Sequence, residues 1–229
     1  MPEQTSQTFN HFALLAFDEA FWREKPARRR QILEGWMGRL RDGADVVHAY
    51  QTFGVECGSD LLLWSARAGT DVVLPAEFFA AFAGATRACR RYVTLRSALW
   101  GFTRPSQYTK TRSTQELDPF ASARAPYLVM YPFTKTAAWY QLPREERRRM
   151  MLGHIQVGKQ YKDITQLLLY STGLQDQEFV VVYETGDLPR FSDLVTELRG
   201  TEARLYTERD APLHTAIYQP DLDALATWL

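Results

Sequence analysis

An internal repeat constrains the fold of this chain more than any other sequence feature. In the first half, the apolar run at residues 12–17 predicts a buried strand, and a helical pattern that contains three consecutive arginines, 28–30, follows it. The second half has the apolar run 127–131 and then a helical pattern with the arginines 147–149. Two structural units of the same kind are therefore expected.

Each half continues with two strands joined by a turn, a helix with a proline near its start, and a closing strand. In chain order these segments are 46–53, 61–64, 75–82 and 93–102 in the first half, and 167–170, 179–183, 189–195 and 212–218 in the second. The order strand, helix, strand, strand, helix, strand is that of a ferredoxin-like unit. The helices are expected to cover one face of each antiparallel sheet, so the other face must pack on something, most simply the sheet of the other half. The prediction is an α+β fold of the dimeric α+β barrel type, with halves at 8–115 and 116–229.

Charge and cysteine content exclude several classes of protein. The chain has 27 Lys and Arg against 27 Asp and Glu, so nucleic acid and anionic membranes are not expected as partners. The two cysteines, Cys57 and Cys89, support neither a disulfide scaffold nor a zinc module. The polar N-terminus lacks the pattern of a signal peptide, and no apolar run approaches the roughly 20 residues of a membrane helix. A soluble, cytoplasmic protein is expected.

Aromatic residues make up 13% of the chain, with 6 Trp, 11 Tyr and 13 Phe. Rings packed within sheets and interfaces explain such a share, and so does a pocket for a flat aromatic cofactor. The glycine-rich phosphate loops, the zinc-protease motif and the serine-hydrolase motif are all missing from the sequence.

His154 is the histidine with the most informative position. It lies on a predicted helix over residues 144–157, and Met150, His154, Val157 and Tyr161 follow at steps of four, three and four residues. The imidazole therefore points toward an apolar interior, either as a core residue or as a ligand. One histidine cannot hold zinc, which takes three or four ligands, but it can be the axial ligand of a haem iron.

Tyr131 and Lys135 form a second candidate cluster at the end of the first strand of the second half. A phenol can act as a general acid or be oxidised to a radical, and an ammonium can anchor a carboxylate. A strand-end tyrosine with a surface lysine is the alternative.

Four motifs in the second half together resemble the chlorite dismutase family, and within it the coproheme decarboxylases. They are YPxxK from Tyr131, WYxLPxEER from Trp139, MMxxH ending at His154, and YSTGLxD from Tyr170. The motifs lie between residues 127 and 218, whereas the first half agrees only as a ferredoxin-like repeat.

The resemblance implies a role for each matching residue. His154 corresponds to the proximal iron ligand, Tyr131 to the tyrosine that becomes a radical, and Lys135 to the lysine that holds the reacting propionate. Gln166 falls at the distal position, although the interval from His154 is one residue shorter than in the family, so that Leu167 is an alternative.

Three further residues are predicted to contact the porphyrin. Tyr108 and Lys159 align with propionate-binding positions, and Trp139 is expected in the pocket wall.

The implied activity is hydrogen-peroxide-dependent decarboxylation of two propionates of iron-coproporphyrin III, or coproheme, to give haem b. Coproheme is then both substrate and redox cofactor. A homopentamer, with coproporphyrin ferrochelatase as a partner, is also implied. A chlorite dismutase or haem peroxidase of the same fold, a haem-binding protein without turnover, and a barrel without haem are the alternatives.

Overall fold

The computed structural model describes residues 7–105 and 114–229, and the chain folds into two compact units. Unit 1 contains the described residues up to Thr103 together with Pro119–Ser122 and Thr215–Leu229. Unit 2 contains the described residues of Arg104–Asp118 and Ala123–His214. The end of the chain thus packs with unit 1, while the repeat boundary between residues 115 and 116 stays a prediction about the sequence.

The strands follow the predicted order, with one additional short strand. They are Thr8–Phe17 (β1), Val46–Gln51 (β2), Leu61–Ala68 (β3), Val93–Phe102 (β4), Tyr127–Lys135 (β5), Thr165–Tyr170 (β6), Phe179–Thr185 (β7), Thr207–Arg209 (β8) and His214–Gln219 (β9).

The helices also follow the repeat. They are Glu19–Trp22 (α1), Pro26–Arg41 (α2), Leu74–Ala88 (α3), Ala137–Gln141 (α4), Arg144–Gly158 (α5), Leu188–Arg199 (α6) and Leu222–Ala226 (α7), with a 3-10 helix at Glu202–Tyr206. The expected α+β architecture of two ferredoxin-like units is confirmed. Within the described ranges, no helix combines the length and apolarity needed to cross a membrane.

Unit 1 is an antiparallel sheet in the order β4-β1-β3-β2-β9, and aromatic rings fill its core. Phe9 of β1 lies 5.0 Å from Phe78 of α3 between ring centroids, and Phe17 stacks on Phe21 at 4.2 Å. Trp36 of α2 is fully buried in the same cluster. Much of the aromatic share of the chain therefore belongs to ordinary core packing in this unit.

Unit 2 is an antiparallel sheet in the order β6-β7-β5-β8. Tyr131 of β5 lies opposite Val181 of β7, and Gln166 of β6 lies opposite Tyr183 of β7. Side chains directly opposite each other share a sheet face. Val181 and Tyr183 are clustered with residues of α5 and α6, so this face is the one that the helices cover.

Candidate functional site

Lys135 ends β5 as a buried ammonium, 9% exposed, that the protein holds in place. Its Nζ donates to the carbonyl oxygen of Ala203 at 2.9 Å and lies 4.4 Å from the ring centroid of Trp139. Burial lowers the pKa of Lys135 to about 8, with a further lowering by Arg204 that Glu178 opposes. The side chain therefore remains mostly protonated at neutral pH.

His154 lies half-buried on α5, and its hydrogen bond defines the free nitrogen. Thr201 donates its hydroxyl hydrogen to the carbonyl oxygen of Leu198 at 2.7 Å. The Thr201 oxygen therefore accepts from Nδ1 of His154, which lies 3.4 Å away. With the proton on Nδ1, the lone pair of Nε2 is left for another partner.

Burial lowers the pKa of His154 to about 4, and the positive charge of Lys135 lowers it further. The imidazole is therefore neutral at pH 7. A neutral imidazole whose second nitrogen is hydrogen-bonded is the form that binds a metal ion.

Tyr131 lies on the helix-covered face of β5, half-buried and beside a second tyrosine. Its ring is stacked on that of Tyr183, with centroids 6.3 Å apart and planes inclined by 27°. Burial raises the pKa of Tyr131 well above 10, with smaller contributions from Tyr183 and Asp210 that Arg199 opposes. The phenol is therefore protonated at neutral pH.

The strand register separates the two candidates for the distal position. Gln166 lies opposite Tyr183, so it shares the sheet face of Tyr131 and is exposed. Leu167 lies opposite Val182, is 3% exposed, and projects from the other face. Of the two, Gln166 is on the side of the sheet that α5 and α6 cover.

The remaining predicted contacts have different surroundings. Trp139 is buried on α4, where its ring packs 5.6 Å from that of Tyr206 and beneath the ammonium of Lys135. Lys159 is exposed at the C-terminal end of α5, and the contacts described for this part of the chain do not join it to the cluster. Tyr108 lies outside the described residues.

Sequence reasoning missed Tyr183, Thr201 and the charged residues near Tyr131, namely Arg199 and Asp210. Arg199 lies 3.8 Å from a carboxylate oxygen of Asp210, to which Arg204 also binds. The repeat predicts the strand that contains Tyr183. The register of this strand against β5 would have placed Tyr183 on the same sheet face as Tyr131.

The model of one protein family, described as chlorite dismutase, matches residues 27–218. The chain belongs to the chlorite dismutase family. A coproheme decarboxylase of Mycolicibacterium smegmatis is 34% identical over 114 residues, which cover 49% of this chain and 48% of that protein. The match thus spans about half of that relative. A coproheme decarboxylase of Thermus thermophilus is 28% identical over 237 residues, covering 95% of this chain and 91% of the relative.

Solved structures of this family have the same fold. The chlorite dismutase of Candidatus Nitrospira defluvii in complex with imidazole has a TM-score of 0.81 at 24% identity, covering 98% of this chain and 96% of that chain. A cyanide complex of a variant of that enzyme has a TM-score of 0.82 at 23% identity, with coverage of 98% and 96%. The family and the names of its relatives point to a haem enzyme of the oxidoreductase type.

Proposed function

We propose that this protein is a hydrogen-peroxide-dependent coproheme decarboxylase, which converts iron-coproporphyrin III to haem b. One observation carries the proposal: a protonated phenol, Tyr131, and a protonated ammonium, Lys135, lie on one strand, and the charge of Lys135 acts on a neutral imidazole, His154, whose Nε2 is available. The names of the relatives from Mycolicibacterium smegmatis and Thermus thermophilus support the choice of substrate.

The residues fit an iron porphyrin as substrate. The porphyrin supplies four nitrogen ligands, so the protein needs to supply one imidazole, and His154 has the required tautomer. The helix that carries His154, α5, buries one of its own side chains, that of Met150. The corresponding helix of the first half, α2, buries five apolar side chains. An apolar ring system against α5 would cover the half-buried Val157 and Ile155.

The bound iron porphyrin would react with peroxide and so supply the oxidising equivalents. Tyr131 would give the hydrogen atom of its phenolic oxygen to the first of the two oxidising equivalents that one peroxide supplies and then take one from the propionate side chain. The resulting carbon radical would lose one electron to the second equivalent, and the carboxylate leaves as carbon dioxide. For each propionate, one peroxide and one proton are consumed, and a vinyl group, one carbon dioxide and two waters are formed. Two such rounds convert coproheme to haem b.

Lys135 holds the carboxylate of the reacting propionate in this proposal. An ammonium has three N–H donors, and the bond to Ala203 uses one of them. The cation stabilises the propionate as a carboxylate, which is the form that can release carbon dioxide. Tyr108 and Lys159 remain proposed contacts to other propionates.

Gln166 favours decarboxylation over chlorite cleavage. An anionic substrate above the iron is best held by a fixed positive charge, and an amide provides none. Gln166 is therefore the proposed distal residue. The proposal also includes a cytoplasmic location, a homopentamer, and coproporphyrin ferrochelatase as the source of the substrate.

The test is to add iron-coproporphyrin III to the pure protein, titrate with hydrogen peroxide, and follow the porphyrin mass. Loss of two carboxyl groups is expected, whereas bound porphyrin of unchanged mass would contradict the proposal and favour a haem-binding protein. Tyr131→Phe should bind coproheme without decarboxylating it. Tyr127→Phe, on the same face of β5 but four residues away, is the matched control and should retain activity.

A further inference from the structure

Gln115 connects helix α5 with strand β6, although the proposed reaction assigns it no role. The residue is half-buried in unit 2. Its side-chain Nε2 lies 2.7 Å from the carbonyl oxygen of Tyr161 and 3.2 Å from those of Gly158 and Ile164. Gly158 is the last residue of α5, and the other two belong to the turn that leads to β6. One amide group, with its two N–H donors, therefore binds the whole connection between helix and strand.

This connection is itself held firmly on its other side by α6. The Tyr161 hydroxyl donates to a carboxylate oxygen of Glu197 at 2.8 Å. Nε of Arg190 lies 2.8 Å from each carboxylate oxygen of Asp163. The carbonyl groups that Gln115 binds thus belong to a fixed part of unit 2.

The backbone around Gln115 is bonded to the residue proposed for the distal position. The N–H of Gln166 donates to the carbonyl oxygen of Gln115 at 2.8 Å, and the N–H of Leu117 donates to the carbonyl oxygen of Gln166 at 2.9 Å. Glu116 thereby forms a parallel bridge with Gln166. The side chain of Leu117 is buried, which adds apolar packing to these two bonds.

We propose that Gln115 is a positioning residue, which fixes the backbone of Gln166 relative to the end of α5. The inference rests on the proposed function, in which Gln166 is the distal residue and His154 on α5 is the axial ligand. Gln115 acts through Gln166 and is not itself a catalytic residue.

The bonds of Gln115 bear on both of these residues at once. Its side chain holds the end of the helix that carries His154, and its backbone holds Gln166. A hydrogen bond is lost when its atoms move apart by about 1 Å, so a small shift of Gln166 would remove its amide from reach of a molecule bound at the iron. The side chain of Gln115 limits such a shift because it ties the segment at 115–117 to a turn that α6 already holds.

The first test uses the porphyrin-free protein and the variant Gln115→Met, which keeps the length of the side chain and removes its donors. Amide hydrogen exchange, followed by NMR, should be about 10- to 30-fold faster at Gln166 and Leu117, as expected for the loss of one to two neutral hydrogen bonds. Gln51→Met is the matched control, since the Gln51 amide donates to the carbonyl oxygen of Phe53 at 3.0 Å in unit 1. Exchange at Gln166 should be unchanged in this control. Unchanged exchange in Gln115→Met would overturn the inference.

The second test distinguishes positioning of Gln166 from a role in stability alone. Carbon monoxide is added to the reduced protein loaded with iron-coproporphyrin III, and the C–O stretching frequency reports the polarity around the bound molecule. Gln166→Leu gives the frequency without a distal amide, and Gln115→Met should shift the frequency in the same direction. Tyr161→Phe loosens the turn from α6 but keeps the carbonyl that Gln115 binds, so its frequency should match the wild type. A wild-type frequency in Gln115→Met, or in Gln166→Leu, would overturn the inference.

The two proposals fail in different ways. Bound coproheme whose mass stays unchanged with peroxide would overturn the decarboxylase, whereas the exchange rates and the C–O frequency would still decide the role of Gln115. Wild-type exchange in Gln115→Met together with full decarboxylation by the wild type would overturn the positioning role alone.

Discussion

Removing the Thr201 hydroxyl should weaken iron-porphyrin binding, although Thr201 does not itself contact the iron in the proposed site. Its oxygen accepts from Nδ1 of His154 because its own hydrogen is donated to Leu198. Thr201→Val keeps the shape of the side chain and removes this acceptor. The Nδ1 proton then has no preferred position, and the tautomer with a free Nε2 lone pair loses its stabilisation.

The geometry sets the size of the effect. Loss of a hydrogen-bond partner behind a metal ligand typically costs about 10- to 100-fold in affinity. The bond between His154 and Thr201 is long, at 3.4 Å, so the lower end applies. We expect the dissociation constant for iron-coproporphyrin III to rise about tenfold, or ~1.4 kcal/mol. Absorbance titration of the porphyrin-free protein measures the constant, and resonance Raman spectroscopy should show a weaker iron–histidine bond.

Thr196→Val is the matched control. Its hydroxyl donates to the carbonyl oxygen of Ser192 at 2.8 Å on α6, so this variant loses a similar local bond without touching His154. In this control, the affinity for iron-coproporphyrin III and the stretching frequency of the iron–histidine bond should match those of the wild type. If Thr201→Val shows the same affinity and frequency as Thr196→Val, the assignment of the tautomer is wrong.

Three further predictions concern charge. Lys135→Met should slow decarboxylation about tenfold to a hundredfold through loss of a charge-assisted hydrogen bond, with porphyrin still bound; unchanged turnover, measured by porphyrin mass, would refute its role. His11 has its pKa lowered to about 4 by burial, so its contribution to stability is complete above pH 6.5 and falls as the pH drops toward 4. Between pH 7 and 4.5, the free energy of unfolding measured in urea should therefore fall by about 2 to 3 kcal/mol less in His11→Phe than in the wild type. An equal fall in the two proteins would exclude His11 as the origin of the pH dependence. Glu184 lies 3.6 Å from Arg124 with both side chains nearly inaccessible, so Glu184→Gln should cost about 3 to 5 kcal/mol by the same assay, and a cost below about 1 kcal/mol would mean that the pair is solvated.

The fold was predictable because each element of the repeat has a strong local pattern. The run at 12–17 and the helical spacing after Pro75 identify a strand and a helix by their periods alone. The short elements α1, α4, α7, β8 and the 3-10 helix were missed, because three to five residues carry too little periodicity to be recognised. The pairing of β9 with β2 was also not predictable, since it depends on contacts between distant segments.

The sequence could group residues of the candidate site only where they lie on one local element. Tyr131 and Lys135 share a strand, and His154 follows from helical spacing. Tyr183 and Thr201 meet them across the sheet and between helices, and sequence spacing contains no information on such contacts. The choice between Gln166 and Leu167 needed the strand register, because a shift of one residue moves a side chain to the other face.

The repeat also explains why the porphyrin site is proposed in unit 2 when both units have the same element order. In unit 1, Phe9, Trp36 and Phe78 fill the layer between the sheet and α2 and α3, and α2 buries a full apolar stripe. Interiors are packed near the density of organic crystals, so a ring system of porphyrin size could enter this layer only by displacing those side chains. In unit 2, the corresponding helix α5 buries Met150 and presents His154 and Val157 half-exposed, next to the sheet face of Tyr131. The layer between sheet and helices would then be filled in both units, by aromatic side chains in unit 1 and by the bound porphyrin in unit 2.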